Sequence, residues 1–316
     1  NSHIIPFSYI NILLYSFIAY NLQSTLALTL LAQSASLKEI VMELILHISA
    51  GALVGFAIGI TGVGGGSLMT PLLLLFGYPA PVAIGTDLLY AAITKIGGAL
   101  SHHRAGNVDW SIVRLLALGS VPTAILVRSA ISKTTFQESQ EFGELLTFSL
   151  GIMLLVTAII LIFRNKFREK AVDNKPSFIM NFIQRRRSRL TFSMGIVLGV
   201  CVTLSSVGAG AFAAAILLTI YSQTRTVKII GSDIAHAVPL TFIAGLGYLF
   251  AGYVDLMLLL SLLIGSLPAI ALGSRFSDRV PEKALQSLLT VILFGLGLNY
   301  TILNILLWIS IITYCY

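Results

Sequence analysis

The chain has 316 residues, of which 56% are hydrophobic and 10% charged, and its mean hydropathy is +0.91. A soluble globular domain carries about a quarter charged residues, so that class is excluded and an integral membrane protein is indicated. The apolar runs are helix-length and lack the short alternating segments of a barrel; the expected fold is all-α, a polytopic membrane helical bundle.

The net charge of +7 is local: nine Lys and Arg lie between Arg164 and Arg189, against Glu169 and Asp173. A basic loop between spans reads as a topology signal that puts it in the cytoplasm, not as a nucleic-acid site. Cys201 and Cys315 sit in apolar stretches, with no spacing that suggests a disulfide or a metal. No metal, cofactor or catalytic group is expected.

In chain order, residues 1–43 hold an apolar stretch at 4–31 that lacks the basic start of a signal peptide and is expected to be an extra helix. Residues 44–163 form a first membrane repeat, with apolar runs at 44–77, 82–100, 111–131 and 145–163. The basic loop follows at 164–189. A second repeat spans 190–298, with runs at 190–221, 227–250, 256–272 and from 284 onward. Residues 299–316 are a C-terminal helical extension, and the tail from Ala284 is either one long helix or two short ones broken near Asn299 and Tyr300.

The halves match in sequence. GTDLLYAAITK from Gly85 pairs with GSDIAHAVPLT from Gly231, AGNVDW from Ala105 with AGYVDL from Ala251, and LGSVP from Leu118 with IGSLP from Ile264, all at one offset of 146 residues. Three ungapped matches in register indicate a duplication. If each apolar run crossed once, the turns bearing Arg225 and Lys228, and Arg275, Arg279 and Lys283, would face outward against the positive-inside rule. If two of the runs are hairpins that return to their own side, both turns move inside and the repeats are inverted, a plan common among secondary transporters.

Those two runs carry glycine clusters, GITGVGGGSLMTP from Gly59 and LSSVGAGAFAAA from Leu204. Glycine lowers helix stability, and broken backbone within a bilayer is tolerated only against protein or a water-filled cavity. A helix restarting after such a break points N–H groups into it and suits an anion. The candidate substrate-binding residues are therefore Thr61, Gly62, Gly64, Gly65, Gly66, Ser67 and Thr70 in the first copy. Those of the second are Ser205, Ser206, Gly208 and Gly210, and Thr86 and Ser232, just before Asp87 and Asp233, are further candidates. Tight helix packing by small residues is the competing reading.

Asp87 and Asp233 are equivalent carboxylates inside apolar runs, either proton carriers or helix caps. Asp109 and Asp255 fall at helix starts and read as caps. Lys95 lies two turns after Asp87 on the same face, as an anion ligand or an ion-pair partner; its equivalent is Thr241. His236, equivalent to Tyr90, is a proton relay or a packing histidine. Arg114 and Arg128, near the two ends of one span, are expected to snorkel.

Together these motifs resemble the TauE/SafE family of sulfite and organosulfonate exporters, over about residues 51–298. The resemblance implies a secondary transporter that moves sulfite or an organosulfonate by alternating access, with a proton as coupling ion or with the substrate gradient and membrane potential as the drive. The glycine hinges would form its cavity. Ala209 stands where the first copy has Gly65, which makes the second hinge stiffer. Its partners would be a small anion, the lipid bilayer and a second copy of the chain. An anion channel using the same hinges, a carrier of another small anion, and a membrane enzyme or sensor are the alternatives.

Overall fold

The structure is a computed structural model that describes residues 38–60, 68–132, 140–172, 185–208, 210–276, 287 and 290–302. The expected helix at 4–31 and most of the first glycine cluster lie outside these residues. The chain divides into Asn1–His47, of which 38–47 are described as helix, and a main unit, Ile48–Tyr316.

Among the described residues every regular element is helical. In order these are α1 (Lys38–Ile60), α2 (Met69–Leu75), α3 (Ala80–Arg104), α4 (Trp110–Ser132), α5 (Gln140–Val172), α6 (Arg187–Ser205), α7 (Ala211–Ile220), α8 (Thr226–Phe250) and α9 (Leu256–Phe276). The last, α10 (Thr290–Ile302), runs unbroken through Asn299 and Tyr300. Helices α1, α4, α5, α6, α8 and α9 contain stretches long and apolar enough to cross a membrane. The bundle turns large apolar side chains outward, such as Leu53, Leu126, Ile264 and Phe250, the last 85% exposed, while Asp87, Lys95, Asp233 and His236 are buried. That inside-out distribution suits lipid as solvent.

Helices α3 and α8 are each 25 residues long and start 146 residues apart. They lie against each other antiparallel: Gly85 meets Tyr248, Gly245 meets Leu89, Gly98 meets Ile234 and Gly231 meets His102. The contacts are reciprocal. The Tyr253 carbonyl, just past α8, abuts Gly85, and the Asn107 carbonyl, just past α3, abuts Gly231. The Asp255 amide donates to Thr86 Oγ1 at 3.3 Å, and the Asp109 amide donates to Ser232 Oγ at 2.7 Å. Asp109 and Asp255 cap α4 and α9, accepting from the Ser111 and Leu258 amides.

The same reciprocity governs two parallel contacts. A Cβ on Gly199 of α6 would lie 2.6 Å from the Ser120 carbonyl oxygen of α4, and a Cβ on Gly55 of α1 would lie 2.6 Å from that of Ser266 in α9. Backbones that touch in this way leave no room for a side chain, which is how helices gain dispersion contacts where lipid removes the hydrophobic driving force. Helices α5 and α10 also cross antiparallel, with Gly151 against Thr301 and Gly297 against Leu155.

Where the second glycine cluster falls, α6 stops at Ser205 and α7 starts at Ala211. Ser206 adopts φ 57°, Gly208 123° and Gly210 143°, conformations glycine accepts without strain and serine does not. Tyr221, just past α7, shares a 3.0 Å hydroxyl contact with Thr191 near the start of α6.

Replacing Gly119 or Gly195 by Leu forces the α4–α6 backbones apart and is expected to destabilise the protein by about 1–3 kcal/mol or more. Gly97, with nothing within 4 Å of its would-be Cβ, accepts Ala without loss. Thermal unfolding of the purified variants in detergent measures the contrast.

Candidate functional site

A helix that stops inside an apolar bundle strands its last carbonyls. At the end of α6 the protein supplies donors for them. Cys201 O accepts from the Ser205 hydroxyl at 2.7 Å, Val202 O from the Ser206 amide at 2.8 Å, Thr203 O from the Tyr248 hydroxyl at 3.0 Å and Leu204 O from the Ser149 hydroxyl at 3.2 Å. Ser205 also takes the Val207 amide at 3.2 Å, so its hydroxyl is occupied in holding the break. The Ser206 hydroxyl is buried and has no hydrogen-bond partner among the described residues.

Asp87 sits in the eighth position of α3 and Asp233 in the eighth of α8, so neither begins its own helix. Asp87 instead receives the hydroxyl and the 3.2 Å amide of Thr70, at the start of α2. Ser206 is also near enough to influence it electrostatically. The carboxylate thus holds Thr70 at the start of α2 and lies near Ser206, just past the end of α6. The second half lacks this arrangement. Aligning the glycine clusters puts Ala214 at the place of Thr70 and Gly62 at that of Ser206. One oxygen of each carboxylate, Oδ1, has no partner among the described residues.

Lys95, 6% exposed, lies within electrostatic reach of Asp233 first and of Asp87 second. Thr241, its equivalent, donates to the Ala237 carbonyl of its own helix at 2.8 Å. His236 Nε2 contacts Ser120 Oγ at 2.8 Å. In the mirrored position the Tyr90 phenol stands beside Ser266 without hydrogen-bond geometry. Ser120 and Ser266 are the serines of LGSVP and IGSLP; their presence in both copies was the signal in sequence, and their partners were not.

Of the residues singled out from sequence, the structure brings together Thr70, Asp87, Lys95, Ser206, Asp233 and His236. Ser205, Thr86 and Ser232 are engaged in local and inter-half hydrogen bonds instead. Gly208 and Gly210 open the start of α7. Thr61, Gly62, Gly64, Gly65, Gly66 and Ser67 lie outside the described residues. Arg114 is exposed, its Nε 3.2 Å from the Trp110 carbonyl. Arg128 does not snorkel: it is buried against Tyr248, because Gly247 leaves room for its stem.

Residues 47–300 match the model of a protein family described as "Sulfite exporter TauE/SafE". The chain is 36% identical to Probable membrane transporter protein YjnA of Bacillus subtilis over 79% of its own length and 96% of that protein. It is 29% identical to Probable membrane transporter protein YdhB of the same organism, over 74% and 91%. With Probable membrane transporter protein MJ0441 of Methanocaldococcus jannaschii it shares 27%, over 82% and 96%. No solved structure matches the chain significantly.

Changing Thr70 to Val keeps the amide at Asp87 and removes the hydroxyl, with an expected loss of about 1–3 kcal/mol. Thr70→Ser retains most of that stability, as read by unfolding of both variants in mixed micelles.

Proposed function

The chain belongs to the TauE/SafE sulfite exporter family and is a multi-pass membrane transporter; from that premise we propose that it moves sulfite or an organosulfonate by alternating access between two inverted halves. The antiparallel, self-related pairs α3/α8 and α5/α10 support the inversion, since a two-fold axis relating antiparallel membrane helices lies in the membrane plane. The Thr191–Tyr221 contact supports a hairpin whose tip is the second glycine break.

The observation that carries this reading is the buried cluster at the second break. Here the Ser206 hydroxyl has no partner among the described residues, Gly210 caps the start of α7, and Lys95 lies within electrostatic reach of two carboxylates. The α2 start is already served by Asp87, whereas the α7 start has Ala214 in place of Thr70. The anion therefore belongs at the α7 start, on its N–H groups and the Ser206 hydroxyl, with the Lys95 ammonium nearby.

Charge balance ties this anion to a proton. Two carboxylates facing one ammonium leave an excess negative charge when all are ionised, and an arriving anion adds to it in a medium that screens poorly. A proton on Asp87 or Asp233 removes that excess, so anion and proton bind together. In this reading His236, in contact with Ser120, is the group that passes the proton.

Proteoliposomes loaded with sulfite, with and without an imposed pH gradient, test the proposal. The wild-type protein is expected to give saturable flux that responds to the gradient. Asp233→Asn loses the response, and Lys95→Gln weakens sulfite affinity roughly tenfold or more. Non-saturating flux that ignores pH would sink alternating access in favour of a channel.

A further inference from the structure

Arg128 lies near the C-terminal end of α4, 7% exposed. Its Nε donates to the Gly247 carbonyl at 3.0 Å. Its guanidinium carbon is 4.7 Å from the ring centroid of Tyr248 and 6.0 Å from that of Tyr253. Nη1 and Nη2 are both buried and have no hydrogen-bond partner among the described residues. Among the described residues, the groups that shape its electrostatic surroundings are these two tyrosines, with no carboxylate.

Aromatic faces attract a cation and accept none of its in-plane N–H groups. A buried guanidinium whose fork is left open is costly, and in a membrane protein it marks a function by default. The fork also has its own accommodation. A Cβ on Gly247 would lie 2.7 Å from Arg128 Cγ, so glycine is what admits the side chain. At the equivalent places in the other half stand Ser101 and Ser274, so the arrangement occurs on one side of the two-fold and helix packing alone does not require it.

Two adjacent N–H-bearing nitrogens in one plane match two oxygens of a carboxylate, sulfonate, sulfite or phosphate. We propose that Arg128 holds a small oxyanion bidentately at the end of the bundle where α4 and α8 finish. This site is separate from the central cluster and stands whether or not its occupant is the transported ion. Tyr248 links the two places, stacking on Arg128 and donating its hydroxyl to the Thr203 carbonyl at the second break.

The test is phenylglyoxal labelling of the purified full-length protein, read by mass spectrometry at Arg128, with methanesulfonate, phosphate or acetate present. The expected result is labelling that at least one of these ions slows by roughly fivefold or more, as displacement of a bidentate ligand requires. Arg128→Lys keeps the charge but not the fork, and should weaken binding of the protecting ion roughly tenfold in calorimetry. Protection seen only in phosphatidylglycerol nanodiscs assigns the occupant as a lipid phosphate, and protection in detergent assigns it as a free ion. Protection without sulfite flux supports the Arg128 site while removing the transport reading. Labelling at one rate under every condition, or no labelling at all, overturns the site.

Discussion

At Gly85 and Gly231 the two central helices meet, each glycine against a backbone carbonyl in the stretch that follows the other helix. Dispersion and hydrogen bonding are what hold helices together in lipid, and both need backbones this close. The contact fixes α3 and α8 as an antiparallel pair, and Thr86 and Ser232 lock its two ends by accepting the Asp255 and Asp109 amides. The buried charges then fall in its middle. Asp87 and Asp233 stand on opposite sides of the pair's centre, and Lys95 lies close enough to both to act on each.

Around that pair, the glycine break is a cost met by specific donors. Four successive carbonyls at the end of α6 take hydrogens from Ser205, the Ser206 amide, Tyr248 and Ser149. Each such group left bare in an apolar interior would cost several kcal/mol. The Ser206 hydroxyl, by contrast, has no hydrogen-bond partner among the described residues.

The two repeats differ at several of their buried polar positions. Thr70 has Ala214 as its counterpart, Lys95 has Thr241, Tyr90 has His236 and Arg128 has Ser274. A perfectly symmetric site would present equal fields from the two halves. This one sets a carboxylate held by two donor groups of Thr70 against one that lacks that residue, with one ammonium between them. Equivalent aspartates in unequal surroundings are a means of giving two like groups different tasks.

Composition and pattern alone determined the membrane setting, the duplication at one offset, the helix interruption at Ser205 to Gly210 and the caps at Asp109 and Asp255. These are properties of a segment and its immediate neighbours, set by hydropathy, backbone propensity and periodicity. The face shared by Asp87 and Lys95 was legible for the same reason, since helical periodicity fixes it within one element. Partners drawn from other helices were not. His236 meets Ser120 and Arg128 meets Tyr248 across more than a hundred residues of chain, and only the packing of glycine against backbone brings them there. An arginine near a helix end reads as a residue reaching for water; Gly247, whose small size matters only once α8 lies against α4, turns it inward instead.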